Sequence, residues 1–206
     1  MNESLQTMVS AVASALEGNL HSFWLYGSVV LDDFRLGWSD IDFIALTSGP
    51  MTEGQAQRLL TLRQILSAAF PENPFYPCFE GIITPLIEEP EDSVQETVYW
   101  GTSGQRLVRR RPLDPFAEYQ LSRFGRSLYG PSDRGLFRCP ARDELAAAAE
   151  RHYGAIRQHA RQTNESLYSC GWLLDIARCV YTLRLGGVIG KTQAGEWALR
   201  ERLFPE

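Results

Sequence analysis

The sequence predicts an α+β protein in which a small mixed sheet flanked by helices is followed by an all-α helical bundle. Short apolar runs typical of strands, such as residues 23–26 and 41–47, occur in the first half of the chain. Beyond about residue 112 the apolar residues recur at helical spacing instead. We therefore expect a sheet-containing domain at residues 1–112 and a helical domain at residues 113–206.

The composition is that of an ordinary globular protein. With 206 residues, of which 44% are hydrophobic and 22% charged, the chain can bury a sizeable core. It contains no apolar run of about 18 residues, and its first 18 residues lack the cationic segment of a signal peptide. We therefore expect a cytoplasmic protein with no membrane span and with reduced cysteines. The net charge of −5 argues against a nucleic-acid partner and favours a cationic small substrate.

The elements of the first domain are predicted from periodicity and from turn-forming residues. Thr52 is placed to cap a helix that runs to about residue 69, because apolar residues follow it at every third or fourth position. An acidic loop is expected at 88–96. The remaining expected elements are a helix at 3–17, a short helix at 28–34, and strands at 23–26, 41–47 and 79–87.

The second domain is predicted to be helical throughout. Its apolar residues recur at helical spacing, and Gly186-Gly187 ends the longest of these stretches. The expected helices cover residues 116–129, 143–163, 166–185 and 192–203.

Two short motifs lie where the first predicted strand ends and the second begins. Alternate residues of a strand point to one face, so Asp40 and Asp42 are expected to aim two carboxylates at one spot. Two carboxylates repel each other unless a cation lies between them, and Mg²⁺ with phosphate oxygens as further ligands suits such a pair. The preceding Gly27-Ser28 turn would let backbone N–H groups and a hydroxyl approach a triphosphate. Together the motifs favour nucleotidyl transfer chemistry.

These motifs resemble those of the nucleotidyltransferase superfamily that includes DNA polymerase beta. The segment Phe79-Glu80-Gly81 looks like the strand that supplies the third acidic residue of that superfamily. The segment Leu173-Leu174-Asp175-Ile176-Ala177-Arg178, with Lys191 and Glu196-Trp197 after it, is similar to the helical domain of aminoglycoside (3'')(9) adenylyltransferases. The resemblance implies a nucleotidyltransferase domain followed by a helical domain, with the active site in the cleft between them.

The resemblance also implies a role for each acidic residue of the motifs. Asp40 and Asp42 would hold Mg²⁺ on the phosphates of ATP. Glu80 would be either the general base for the acceptor hydroxyl or a third metal ligand, and both roles are left open.

On the nucleotide side, the resemblance implies that ATP is the co-substrate. Gly27 and Ser28 would contact its β- or γ-phosphate. Arg178 and Lys191 would reach the triphosphate from the helical domain.

Three interpretations of the acceptor are left open. The favoured one is a hydroxyl of a small molecule such as an aminoglycoside or aminocyclitol antibiotic, which would make the protein a resistance enzyme. However, residues 162–168 do not match, one for one, the tryptophan and acidic positions of the streptomycin-modifying enzymes. The alternatives are a protein hydroxyl, as in antitoxins that modify a partner, and a catalytically silent nucleotide-binding protein. The sequence predicts no oligomeric state.

Some conspicuous residues outside the motifs receive plainer interpretations. Asp33 and its neighbour Asp32 are interpreted as loop or helix-capping residues, and His152 as an exposed helix residue. The basic run at 106–111 is interpreted as a solvated face. Trp38, next to the motif, is the candidate for stacking on the adenine base.

Overall fold

The computed structural model describes residues 1–86, 96–109, 112–160 and 167–203 of the chain. Within these ranges the helices are α1 (Asn2–Leu16), α2 (Glu53–Ala69), α3 (Pro115–Phe124), α4 (Arg142–His159), α5 (Leu167–Leu185) and α6 (Lys191–Arg200). The strands are β1 (Leu20–Leu25), β2 (Ile41–Thr47), β3 (Phe79–Pro85), β4 (Glu96–Gly101), β5 (Gly104–Arg109) and β6 (Arg126–Tyr129). A single 3-10 turn, Gly27–Val29, stands where a short helix was predicted.

The described strands form one mixed sheet in the order β5-β4-β3-β2-β1-β6. Strands β2 and β3 are parallel, whereas the other neighbouring pairs are antiparallel. The parallel register places Asp42 of β2 beside Glu80 of β3. The first residues of two adjacent strands therefore bring these acidic positions together at one end of the sheet.

One face of the sheet packs against α1 and α2. Phe23 of β1 stacks on Phe43 of β2 with ring centroids 4.9 Å apart, and Met8 of α1 and Leu59 of α2 belong to the same buried cluster. The predicted Thr52 cap of α2 is confirmed, because its side chain accepts a hydrogen bond from the backbone N–H three residues later.

The opposite face of the sheet packs Trp24 and Ile44 against Leu121 of α3. Asp42 and Ile44 are two residues apart on β2, so both side chains point to this face. The predicted carboxylates therefore face the helices that follow the sheet. Among these helices, α5 and α6 pack through small residues, since Ala177 of α5 and Ala194 of α6 belong to one buried cluster.

Three of the described strands, β4, β5 and β6, were not predicted from the sequence. The expected helix at 116–129 ends at Phe124, and residues 126–129 form β6, which pairs antiparallel with β1. Four residues are too few to show a strand period, and Gly125 separates them from the helix. The hairpin of β4 and β5 was not predicted: β4 buries Val98 and Trp100 but is short, and β5 is mostly polar and at least partly exposed.

Several predicted segments extend outside the described residues. These are most of the acidic loop at 88–96, the last residue of the strand at 79–87, and the facing ends of the helices at 143–163 and 166–185. The last two arginines of the predicted basic run at 106–111 also lie outside the described residues. None of the helices in the described ranges is long and apolar enough to cross a membrane.

Candidate active site

A cleft of about 900 Å³ lies between the sheet and the helical half of the molecule. Every site residue predicted from the sequence contributes to its walls. The sheet side contributes Gly27, Ser28, Asp40, Asp42 and Glu80. The helical side contributes Arg178 and Lys191. Residues from distant parts of the sequence therefore face one common space.

The turn after β1 requires glycine at position 27 for two reasons. Its φ of +70° lies in the left-handed region that side chains disfavour, and a Cβ atom there would lie 1.8 Å from Oδ2 of Asp42. The backbone N–H of Tyr26 donates to the carbonyl of Asp42 at 3.0 Å and fixes the turn against β2. The Asp42 carboxylate consequently packs directly on the Gly27 backbone.

Both groups predicted to contact phosphate in this turn are bonded to protein. The Gly27 N–H donates to Oε1 of Gln120 at 2.9 Å, and the Ser28 hydroxyl donates to the carbonyl of Asp40 at 3.2 Å. Gln120 is a buried residue of α3 that the sequence did not single out. A phosphate contact from the Gly27 N–H therefore requires Gln120 to release it.

The carboxylates at the start of β2 repel each other. Burial in the cleft wall raises the pKa of Asp42 to about 7, with further contributions from the charges of Asp40 and Glu80. Arg178 and Lys191 oppose this rise. The pKa of Asp40 is raised as well, by partial burial and then by the charge of Glu80. The sheet side of the cleft thus carries more negative charge than its surroundings compensate.

A buried arginine lies behind this acidic wall. Arg63 of α2 donates to the carbonyl of Phe79 at 2.7 Å and to the carbonyl of Gly101 at 2.8 Å. Its charge lowers the pKa of Asp40, against the larger upward contributions. Arg63 therefore braces β3 and β4, and it moderates the acidic charge without entering the cleft.

The carboxylate of Glu80 is held by the β4–β5 hairpin. The Tyr99 hydroxyl donates to Oε1 at 2.9 Å, and the Thr102 hydroxyl donates to Oε2 at 3.2 Å. Burial and the hydrogen bond to Glu80 raise the pKa of Tyr99, whose ring also lies 4.6 Å from the guanidinium carbon of Arg106. Both carboxylate oxygens are oriented while lone pairs remain to accept a further proton.

The helical wall of the cleft is built around Asp175. Its Oδ1 lies 2.9 Å from Nη2 of Arg178, and its Oδ2 lies 3.0 Å from Nζ of Lys191. The Nε2 atom of His152 is 3.9 Å from the same Oδ2. Burial alone would raise the pKa of Asp175, but the neighbouring His152 and the charges of Arg178 and Lys191 lower it to about 2.

The structure also shows where the conspicuous residues outside the two motifs lie. Asp33 is a capping residue as predicted, although it caps the distant helix α6 through Thr192. Trp38 lines the cleft, where the sequence made it a candidate for base stacking. His152 lies on α4 with a side chain that is 42% exposed, in agreement with its interpretation as an exposed helix residue, but it also lines the cleft. His152 on α4 approaches Asp175 on α5, and a contact between two helices cannot be read from the pattern of either helix alone.

The donor set on the sheet side fits a divalent cation in charge and in chemistry. Asp40 and Asp42 offer oxygen ligands, and a cation beside them would oppose both causes of the raised pKa of Asp42, its burial and the charges of Asp40 and Glu80. No group of three or more His, Cys, Asp or Glu side chains in the described ranges already forms a metal cage. Mg²⁺ commonly binds through only one or two carboxylates and keeps several waters. Such an ion therefore fits Asp40 and Asp42, with Glu80 beside them.

Comparison with known proteins identifies the fold. No protein-family model matches the chain, and no curated protein matches it. The solved structure of spectinomycin adenyltransferase AAD(9) from Enterococcus faecialis with ATP and spectinomycin superposes with a TM-score of 0.73. The match has 18% sequence identity and covers 98% of this chain and 83% of AAD(9). This chain has a nucleotidyltransferase fold. The predicted α+β class and the predicted superfamily resemblance are thereby confirmed.

A second solved structure is less similar to this chain. It is a mutant of the toxin–antitoxin pair MntA-HpeT, with 14% identity over 75% of this chain and 93% of that chain. Its TM-score of 0.35 is too low to support any inference.

Proposed function

We propose that this chain is a Mg²⁺-dependent adenylyltransferase that moves AMP from ATP to a hydroxyl group of a small molecule. The observation that carries the proposal is the charge pattern of the cleft. Asp40, Asp42 and Glu80 line the sheet side, and Arg178 and Lys191 line the helical side. A wall of carboxylates opposite a pair of cations complements a complex of a metal ion with a triphosphate.

Each wall has a distinct task in this proposal. Asp40 and Asp42 would hold Mg²⁺, which supplies charge neutralisation at phosphate oxygens when it is bound. Arg178 and Lys191 would bind the triphosphate from the other side and orient it. Ser28 lies at the edge of the same space and would add a hydroxyl contact.

Glu80 is the proposed general base. It would take the proton of the acceptor hydroxyl as that oxygen forms a bond to the α-phosphorus and the bond to pyrophosphate breaks. The hydrogen bonds from Tyr99 and Thr102 support this role, because they hold the carboxylate in one orientation. A base must meet its proton in a defined geometry, so this orientation favours proton transfer.

The favoured acceptor is an aminoglycoside or aminocyclitol. The structurally similar AAD(9) is named as a spectinomycin adenyltransferase and was solved with spectinomycin. The net charge of −5 supports a cationic acceptor, because it attracts such molecules to the protein.

The test is release of pyrophosphate from ATP and Mg²⁺ in the presence of a panel of aminoglycosides and aminocyclitols. We expect one or more panel members to stimulate release and to gain the mass of AMP. The Asp133→Asn variant is a matched control, because Asp133 is exposed and lies outside the cleft. It should match the wild type, whereas Asp42→Asn should lose release. ATP binding without stimulation by any panel member would refute the acceptor class. A search for AMP on co-purified proteins would then test a protein acceptor.

A further inference from the structure

One carboxylate serves both cations of the helical wall. Asp175 of α5 is only 7% exposed and is bonded to Arg178 at 2.9 Å and to Lys191 at 3.0 Å. Arg178 lies one turn further along α5, whereas Lys191 is the first residue of α6. Asp175 therefore joins two helices through their charged side chains.

Without this carboxylate the two cations would repel each other. Arg178 and Lys191 each lie about 3 Å from the same group, so their charges are held close together. Like charges in a partly buried site disfavour this arrangement unless an anion lies between them. The low pKa of Asp175 is consistent with an anion that stays charged across the physiological range.

The two cations differ in what else restrains them. The guanidinium of Arg178 lies 5.8 Å from the centre of the Phe116 ring, and its side chain is 19% exposed. The Lys191 side chain is 39% exposed and has a flexible stem. Lys191 therefore depends more on Asp175 for its position than Arg178 does.

The cations keep hydrogen-bonding capacity for a ligand. A guanidinium has five N–H donors and an ammonium has three, and Asp175 uses few of them. Nε of Arg178 is buried and has no hydrogen-bond partner among the described residues. The pair thus carries one net positive charge beyond that of Asp175, and both residues line the cleft.

We propose that Asp175 is a positioning residue that holds Arg178 and Lys191 ready for the β- and γ-phosphates of the nucleotide. This inference rests on the proposed function, because it takes ATP as the ligand of the cleft. Asp175 acts only through the two cations. Its effect therefore applies to the terminal phosphates and leaves the rest of the nucleotide unaffected.

The test compares binding of ATP and AMP, each with Mg²⁺, by isothermal titration calorimetry of the full chain. We expect Asp175→Asn to weaken ATP binding by roughly tenfold and to leave AMP binding within about twofold of wild type. The Asp133→Asn variant should leave both affinities unchanged. Equal weakening of ATP and AMP would show a merely structural role and overturn the inference. Unchanged or tighter ATP binding would overturn it too, because Asp175 would then only compete with phosphate for the cations.

A double-mutant comparison tests whether Asp175 acts through Lys191. If it does, Asp175→Asn should weaken ATP binding much less in a Lys191→Ala background than in the wild type. Additive losses would contradict the inference.

Thermal melting without nucleotide shows whether each variant is folded, and Asp175→Glu replaces the variant if Asp175→Asn fails to fold. A wild type that binds AMP and ATP equally, or neither, would overturn the proposed function and this inference with it. If the wild type binds ATP more tightly than AMP, a failure of the Asp175 inference can be told apart from a failure of the proposed function.

Discussion

Asp33 accepts a hydrogen bond of 3.0 Å from the backbone N–H of Thr192, although the two residues lie 159 positions apart in the sequence. Asp33 belongs to the loop between the two motifs of the sheet domain, and Thr192 lies in the first turn of α6. The fit is close, because a Cβ atom on Gly190 would lie 2.6 Å from Oδ2 of Asp33. This contact docks the start of α6, and with it Lys191, on the sheet half.

Removal of this contact should loosen the docking of α6. We expect Asp33→Ala to lower the free energy of unfolding by about 1–2 kcal/mol, because a buried helix cap is lost. ATP should also bind less tightly, since Lys191 precedes the capped residue. Asp33→Asn is the matched control, because its amide oxygen can still accept the bond. Chemical denaturation and ATP titration measure both effects, and equal stability of Asp33→Ala and Asp33→Asn would contradict the docking role.

Gly27→Ala should damage the site more than an ordinary glycine substitution does. The new methyl group would collide with the Asp42 carboxylate, and the positive φ would add strain. Gly18→Ala is the control, because Gly18 also has a positive φ, +88°, but has open space around its Cβ position. We expect both variants to lose stability in thermal melts and Gly27→Ala alone to lose binding of ATP with Mg²⁺. Loss of binding in both would show that the collision is irrelevant.

Asp42 should make metal-free protein less stable as the pH rises. Its pKa in the fold is about 7, above the ordinary value of 3.8, so its stabilising contribution is complete below about pH 4. That contribution is lost as the pH rises through 7, because the unfolded chain carries the charge more easily. With EDTA present, the stability of Asp42→Asn relative to wild type should increase by roughly 2 kcal/mol between pH 5 and pH 8.

Denaturation of wild type, Asp42→Asn and the exposed-site control Asp133→Asn at the two pH values provides this measurement. The control should follow the wild type at both pH values. A stability difference between Asp42→Asn and wild type that stays constant with pH would contradict the raised pKa of Asp42 in the fold.

Tyr99→Phe should slow turnover without unfolding the protein. The change removes one hydrogen bond to Glu80 and leaves the carboxylate less well oriented. We expect kcat to fall roughly threefold to tenfold, against a loss of about 10² or more for Glu80→Gln. Tyr129→Phe, at an exposed residue of β6, serves as the control. An unchanged kcat in Tyr99→Phe would show that orientation of Glu80 by Tyr99 does not matter.

The sequence predicted structure and cleft-lining residues correctly where functional residue types and a regular period occur in the same short segment. The acidic pair Asp40 and Asp42 could be aimed at one spot from a period of two, and both line the cleft although Asp40 lies just before β2. The helices were predictable for a similar reason, since their apolar stripes are long. The resemblance in turn directed attention to Arg178 and Lys191, both of which line the cleft.

The features that the sequence did not predict depend on contacts between secondary-structure elements. Strand β6 is too short to show a period, and the β4–β5 hairpin pairs a short, buried strand with a mostly polar one. Tyr99 was missed for the second reason, because its role follows from the hairpin. Gln120 and Asp175 act through partners on other elements. Single-sequence patterns do not contain such pairings.

The most direct test of the central claim is a thermal-shift comparison with ATP, with Mg²⁺, and with both. A ligand that binds only the folded state raises the melting temperature. We expect ATP with Mg²⁺ to raise the melting temperature of wild type and of Asp133→Asn by several degrees and that of Asp42→Asn hardly at all. No Mg²⁺-dependent response to ATP in the wild type, or an equal response in Asp42→Asn, would contradict a metal–triphosphate site in this cleft.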